Sequence, residues 1–401
     1  MKILLAIALL FPILNSYAQS EPDSSRKSVE LKSEWYKKIS LRGYVQVRYN
    51  GLFQTNPELE CDQCDKAWGG NSGFSIRRVR LAFSGQINKR VFFYVQPDFA
   101  AGADEGTNFG QLRDAYFDVG LDKRNEYRLR FGQSKIPFGF ENLQSSQNRI
   151  PLDRNDAFNS AFNNERDLGV IFYWASTKMR DRFSYLVSSG LKGSGDYGIF
   201  ALGILNGQSA NRKEENDTKH VVARLTYPFL LESKQIIEAG IQAYSGKSVL
   251  PSISSKVLAD KNKLEYLDQR AAASLTVYPQ PFGFQAEYNV GTGPEYNPAT
   301  NTIDQKDLKG GYVMASWLVK TRGQTLVPFI RYQYYDGGKK FELDARSYTV
   351  KDLEVGAEYQ PFSNFEVVAL YNFSKRRYED ALKPVNFQQG NLLRFQFQMN
   401  F

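Results

Sequence analysis

The ten residues Leu392 to Phe401, L-L-R-F-Q-F-Q-M-N-F, alternate without a break. Successive side chains of a strand point to opposite faces. Leu393, Phe395, Phe397, Met399 and Phe401 therefore share one face, and Arg394, Gln396, Gln398 and Asn400 share the other. Such a strand fits the half-buried edge of a soluble sheet. It also fits the wall of a membrane barrel, with lipid outside and water within. The two are separated by how often the chain repeats the pattern.

It repeats along most of its length. Leu41 to Tyr49 sets Leu41, Gly43, Val45, Val47 and Tyr49 against Arg42, Tyr44, Gln46 and Arg48. Ser75 to Ser84 puts Val79, Leu81 and Phe83 outward and Arg78, Arg80, Ala82 and Ser84 inward, and after a turn at Gly85 to Lys89 the next strand presents Val91, Phe93 and Val95. Ala115, Phe117 and Val119 mark a fourth strand, and Tyr127, Leu129 and Phe131 a fifth. Similar segments lie near 167–175, 197–206, 219–227, 235–246, 268–277, 282–291, 310–319, 325–335, 350–359 and 364–374. With the last strand the count is about sixteen, and long connections (50–73, 134–166, 247–267) alternate with short ones (85–90, 176–182, 278–281). This predicts an all-β fold, a transmembrane antiparallel β-barrel with short periplasmic turns and long outer loops. Phe183 to Asn206 exceeds one span of roughly 9 to 11 residues, which predicts a bulge around Gly190 to Gly195 or an extra excursion.

The start of the chain agrees. Lys2 precedes the apolar run Ile3 to Leu14, and Ser16-Tyr17-Ala18 offers the small residues of an export signal. We read 1–18 as signal peptide, 19–38 as a polar periplasmic tail and 39–401 as the barrel. No later run approaches the roughly 20 apolar residues that a spanning helix needs, and only helices and closed barrels satisfy their backbone in lipid. The 24 tyrosines and 29 phenylalanines suit interfacial girdles. The net charge of +8 is compatible with anionic solutes, and export argues against nucleic acid. Phe401 resembles the C-terminal signal read by the barrel-assembly machinery.

Ten arginines carry the inward parity: Arg42, Arg48, Arg78, Arg80, Arg128, Arg130, Arg224, Arg270, Arg331 and Arg394. Guanidinium groups stay charged and grip phosphate or carboxylate with two prongs, so a lumen column of them favours anions. Asp114, Asp118, Glu238, Glu287, Glu354, Glu358 and Glu366 share that parity, which leaves open an opposed-charge field in a general, weakly selective pore. Arg77 falls on the lipid parity, at the interface. The third long loop, Lys135 to Glu165, is the expected constriction through Lys135, Glu141, Arg149, Asp153 and Arg154, a plain surface loop being the alternative.

Cys61 and Cys64, the only cysteines, lie in the first outer loop and read as a local disulfide. A metal would need two more ligands, and the nearby acids match no calcium-loop spacing, so no metal or cofactor is assigned. His220 is the only histidine, no serine is marked as its nucleophilic partner, and no nucleotide or zinc-protease motif occurs. The residues do not describe an enzyme.

Phe74 to Phe99 reads F-S-I-R-R-V-R-L-A-F-S-G-Q-I-N-K-R-V-F-F-Y-V-Q-P-D-F. With Gly132-Gln-Ser-Lys-Ile-Pro-Phe-Gly-Phe-Glu141, Arg166-Asp-Leu-Gly-Val170, Asn206-Gly207 and Pro328-Phe-Ile-Arg-Tyr332, it resembles the phosphate-selective porin O and P family, in that family's order. The resemblance implies a sixteen-stranded, homotrimeric outer-membrane channel whose third loop folds into an arginine-lined lumen. Small anionic solutes, phosphate or polyphosphate among them, are the cargo it implies. A structural or adhesive barrel with a blocked lumen is the rival.

Overall fold

The computed structural model describes residues 35–53, 72–101, 108–258, 264–384 and 386–401. Cys61, Cys64 and the expected export signal lie outside them. A single 3-10 turn, Trp35–Lys38, leads into an antiparallel sheet that closes on itself.

The wall begins with β1 (Ser40–Phe53), β2 (Gly73–Gln86), β3 (Val91–Ala101), β4 (Asn108–Gly120), β5 (Tyr127–Lys135) and β6 (Arg166–Trp174). It continues through β7 (Phe200–Leu205), β8 (His220–Leu230), β9 (Ile236–Val249), β10 (Glu265–Val277) and β11 (Phe282–Asn297). The last part is β12 (Thr302–Trp317), β13 (Val319–Thr321), β14 (Gln324–Gly338), β15 (Ser347–Phe362), β16 (Phe365–Glu379) and β17 (Phe387–Asn400). Both β12 and β13 pair with β14, so they form one span interrupted at Leu318 and the barrel has sixteen. Each neighbour in sequence is a neighbour in space, and β17 pairs with β1 from Tyr44↔Asn400 to Phe53↔Asn391.

The seam explains why the terminal alternation matters. Gly43 and Phe401 exchange backbone hydrogen bonds of 2.8 and 2.9 Å, completing the ring, so that none of the described wall strands lacks a neighbour on either side. The Phe401 ring lies over Gly43, where a Cβ would sit 2.5 Å from Phe401 Cζ and 2.7 Å from the Arg80 carbonyl. Only glycine fits there without displacement.

The barrel is apolar outside and polar inside, the reverse of a soluble domain. Phe117, Ile241, Val290, Phe373 and Met399 stand exposed on the outer face, while Gln46, Arg48, Asn289, Glu358 and Arg394 are almost wholly buried within.

Two expectations are corrected. The connection 176–182 is not a short turn, and of the two readings of 183–206 the structure has the extra excursion and not the bulged strand. Helix α3 (Thr177–Ser188) follows β6, then 189–199 runs without regular structure into a short β7. Met179, Phe183 and Leu186 fall on one helical face and pack with Leu191, Ile199, Ile236 and Tyr278. Arg77 does not face lipid. Gln46 pairs with Arg78 and Val47 with Ile76, so Arg77 is the extra residue of a bulge, and its guanidinium is turned to 4.0 Å from Asp153.

Candidate functional site

The third long loop leaves β5 at Lys135 and runs inside the barrel. Gly139, at φ 87°, turns the P-F-G-F stretch sharply into α1 (Phe140–Leu143), and α2 (Asp156–Asn159) follows. Phe138, Phe158 and Phe162 are buried against Tyr244, with the Phe138 and Tyr244 rings 4.9 Å apart, and this apolar contact lays the loop on the far wall. Polar contacts fix its position there. Glu287 accepts from the Phe140 and Glu141 amides at 2.5 and 2.8 Å, Glu141 pairs with Arg331 at 2.6 Å, and Arg270 donates to Ser160 Oγ at 2.7 Å.

The middle of the loop crosses to the seam. Asp153 lies 3.0 Å from Arg48, 2.6 Å from Arg394 and 4.0 Å from Arg77. Burial pushes its carboxyl up, but Arg394, Arg48 and Arg77 outweigh burial and hold it well below the usual carboxylate range. Arg149 donates to the carbonyls of Pro151 and Leu152 at 3.0 and 2.7 Å, folding the loop upon itself. Arg154 pairs with Glu165 at 2.8 Å, at the loop's return to the wall.

The inward acids are mostly the partners of the inward cations. Arg80 pairs with Asp98 (2.7 Å), Arg128 with Asp196 (2.8 Å), Arg130 with Asp118 (2.7 Å) and Arg224 with Glu238 (3.0 Å). Arg270 pairs with Asp268 (3.1 Å), and Arg331 binds Glu354 (2.5 Å) as well as Glu141. Arg78 differs: its guanidinium donates to Gln46 Oε1 at 3.0 Å and has no carboxylate partner among the described residues. Arg42 is exposed, at a second cavity of about 290 Å³ beside Gln147, Asn364 and Asn400 at the short-turn end.

The third loop lies against the far wall and the seam, and a lumen cavity lies beside β2 to β5. A cavity of about 150 Å³ is lined there by Arg80, Arg130, Lys135 and Arg166, by the single carboxylate Asp114, and by Tyr94, Gln96, Tyr116, Ser145, Ser194 and Tyr197. The Arg130 guanidinium lies 3.7 Å from the centre of the Tyr116 ring. Lys135 is held by two carbonyls, those of Leu143 and Gln144, at 2.8 and 2.6 Å. Of the residues singled out in the sequence, the fold brings Arg80, Arg130 and Lys135 to this cavity. Arg270 and Arg331 lie instead against the third loop, and Arg224 donates to Glu238 and to the Gly198 carbonyl of the segment after α3.

Sequence reasoning missed the floor of the cavity. The segment after α3 enters the lumen from the opposite end, and its Lys192 makes a 2.5 Å ion pair with Glu358 on β15. The Lys192 carbonyl accepts from Gln144 of the third loop at 2.6 Å, so the two inward segments touch. Asp196 of the same segment bridges Arg128 and Arg180 at 2.8 and 2.9 Å. Arg166, Arg376 and Asp352 were also missed as site residues. Arg166 bonds Asp114 at 2.9 Å, and Arg376, inward on β16, binds Asp352 and Asp156. Alternation with Asn372 and Ser374 was the available signal for Arg376.

Comparisons with known proteins agree with this architecture. Several solved porin-type barrels share the fold. OmpF of Salmonella typhi, in complex with daunomycin, superposes with a TM-score of 0.54 at 13% identity, covering 90% of this chain and 97% of that one. OmpT of Vibrio cholerae gives 0.53 at 10% identity, covering 92% and 100%, and an anion-selective porin from Comamonas acidovorans gives 0.51 at 10%, covering 90% and 99%. No curated protein matches the sequence. The sequence model for "Phosphate-selective porin O and P" matches residues 58–401, nearly the whole chain. A closed sixteen-span barrel, apolar without and charged within, whose sequence matches that family over this length, belongs to the phosphate-selective porin O and P family and is an outer-membrane channel, not an enzyme.

Proposed function

We propose that the channel passes small anionic solutes, phosphate or polyphosphate among them, by passive diffusion. The observation that carries the reading is the cavity beside the third loop, where Arg80, Arg130, Lys135 and Arg166 meet one carboxylate, Asp114. An anion entering it trades hydration for charge-assisted hydrogen bonds, and a cation meets a net positive wall. The Comamonas acidovorans barrel of like fold, described as anion-selective, adds support. Planar-bilayer recording of the folded protein tests it. Discrete conductance should appear, the zero-current potential in a salt gradient should report anion preference, and millimolar phosphate should reduce chloride current. Lys135→Gln should move that potential towards zero. Folded protein without resolvable conductance would end the reading.

One set of contacts favours a second reading. Arg80, Arg130 and Arg166 already hold Asp98, Asp118 and Asp114, so the net field is smaller than the arginine count suggests. A weakly selective pore would show a zero-current potential near zero and no phosphate block.

The OmpT barrel described in a trimer form and the family resemblance support a homotrimer, which cross-linking in native membranes should trap as a three-chain species. Cleavage after Ala18 would leave Gln19 first in the mature protein, readable by terminal sequencing. Recognition of Phe401 by the assembly machinery predicts that Phe401→Ala lowers the amount of folded barrel in the membrane.

A further inference from the structure

The outer face of the wall carries one charged patch that neither the lumen nor the loops use. Lys351 on β15 and Lys375 on β16 stand directly opposite each other. Both are exposed, and among the described residues neither makes an ion pair. Like charges directly opposite in a sheet destabilise it. At Lys247, also on the outer face, Glu265 lies at 3.7 Å.

The rows on either side define what the patch meets. One row towards the short-turn end lie Tyr332, Leu353 and Phe373, all on the lipid face. One row towards the long loops, Arg377 stands opposite Thr349 and donates to its hydroxyl at 3.3 Å. Glu379 pairs with the Arg377 guanidinium at 3.9 Å, and Asp336 accepts from the Thr349 hydroxyl at 2.9 Å, so the charge left without an ion pair in this patch is that of the two lysines. The amines lie about 7 Å, two residues of strand rise, beyond the row of Tyr332, Leu353 and Phe373, and exposed Phe387 stands opposite Arg377 one row further on. Basic groups at that margin reach the headgroup layer while their stems lie along the apolar surface.

We propose that Lys351 and Lys375 bind the phosphate of an outer-leaflet glycolipid, whose acyl chains run down over Tyr332, Leu353 and Phe373. The charge is complementary, the patch is continuous with the lipid-facing band, and the unrelieved lysine pair is explained by an anion shared between its two members. The site lies outside the lumen and stands whether or not the channel prefers anions.

The test is native mass spectrometry of the detergent-purified full chain, titrated with phosphorylated lipid A and with the same lipid after removal of its phosphates. The wild type should retain the phosphorylated form selectively, and Lys351→Gln with Lys375→Gln should weaken that retention by roughly 30-fold, from about a kilocalorie for each lysine. Lys247→Gln should change nothing. Neither mutated lysine has a bonding partner, so the double variant should keep the heat resistance of the wild-type barrel. Equal retention of both lipids by the wild type would overturn the proposal. So would undiminished retention by the double variant, or displacement of the lipid by millimolar inorganic phosphate.

Discussion

Asp153 gathers three guanidiniums from the wall onto one loop carboxylate, and its depressed pKa gives it a defined pH behaviour. A carboxyl held low by folding contributes stability that is fully present above its unfolded value, about 4, and is lost as pH falls through the lower folded value. Conductance should therefore be unchanged between pH 7 and 5, and the loop should loosen only in strong acid, seen as new fast gating in single-channel traces. Replacing both Arg78 and Arg80 by Glu should shift the zero-current potential towards cations, most strongly in dilute salt, where the Debye length exceeds about 10 Å. Non-reducing peptide mapping should find Cys61 joined to Cys64. Replacing both with Ser should leave heat resistance nearly unchanged, since so short a loop restrains the unfolded chain little. Strict alternation made the inward direction of Arg78 and Arg80 legible from sequence. Arg77 was not, because one bulged residue inverts the parity and no local pattern marks it. Which carboxylate meets which arginine was equally hidden, because it depends on strand stagger and on how deep a loop folds.

Most wall strands announced themselves, yet the connection after β6 did not. Met179, Phe183 and Leu186 recur at helical spacing within a region that also passes a test for alternation, and the two patterns overlap in so short a stretch. The segment that follows α3 is held by the buried Lys192–Glu358 pair. Removing one member of such a pair typically costs about 3 to 5 kcal/mol. Lys192→Ala should release 190–198 from the lumen while the wall survives, giving larger conductance with unchanged heat resistance on gels. Glu287→Ala should act on the other inward segment. It removes the acceptor of two loop amides, so the third loop should become protease-sensitive in the folded barrel.

For the molecule as a whole, the alternation at Leu392 to Phe401 marked a strand of the barrel wall, and the count of about sixteen spans agreed with the closed ring because alternation is a local property. How full the lumen is could not be read that way. It follows from a loop descending from one end and a helical connection rising from the other, and these meet at Gln144 and Lys192. Gly43→Val, by displacing the Phe401 ring and the Arg80 carbonyl, should weaken the seam and lower the temperature at which the barrel unfolds in detergent. The contact between the two inward segments bears on how the object is made. Both belong to one continuous stretch of chain flanking β6, so these two inward segments are encoded by neighbouring residues, and buried Lys339 of the connection after β14 joins them through Asp156 at 2.6 Å. The later strands close around that stretch as staves around a mandrel.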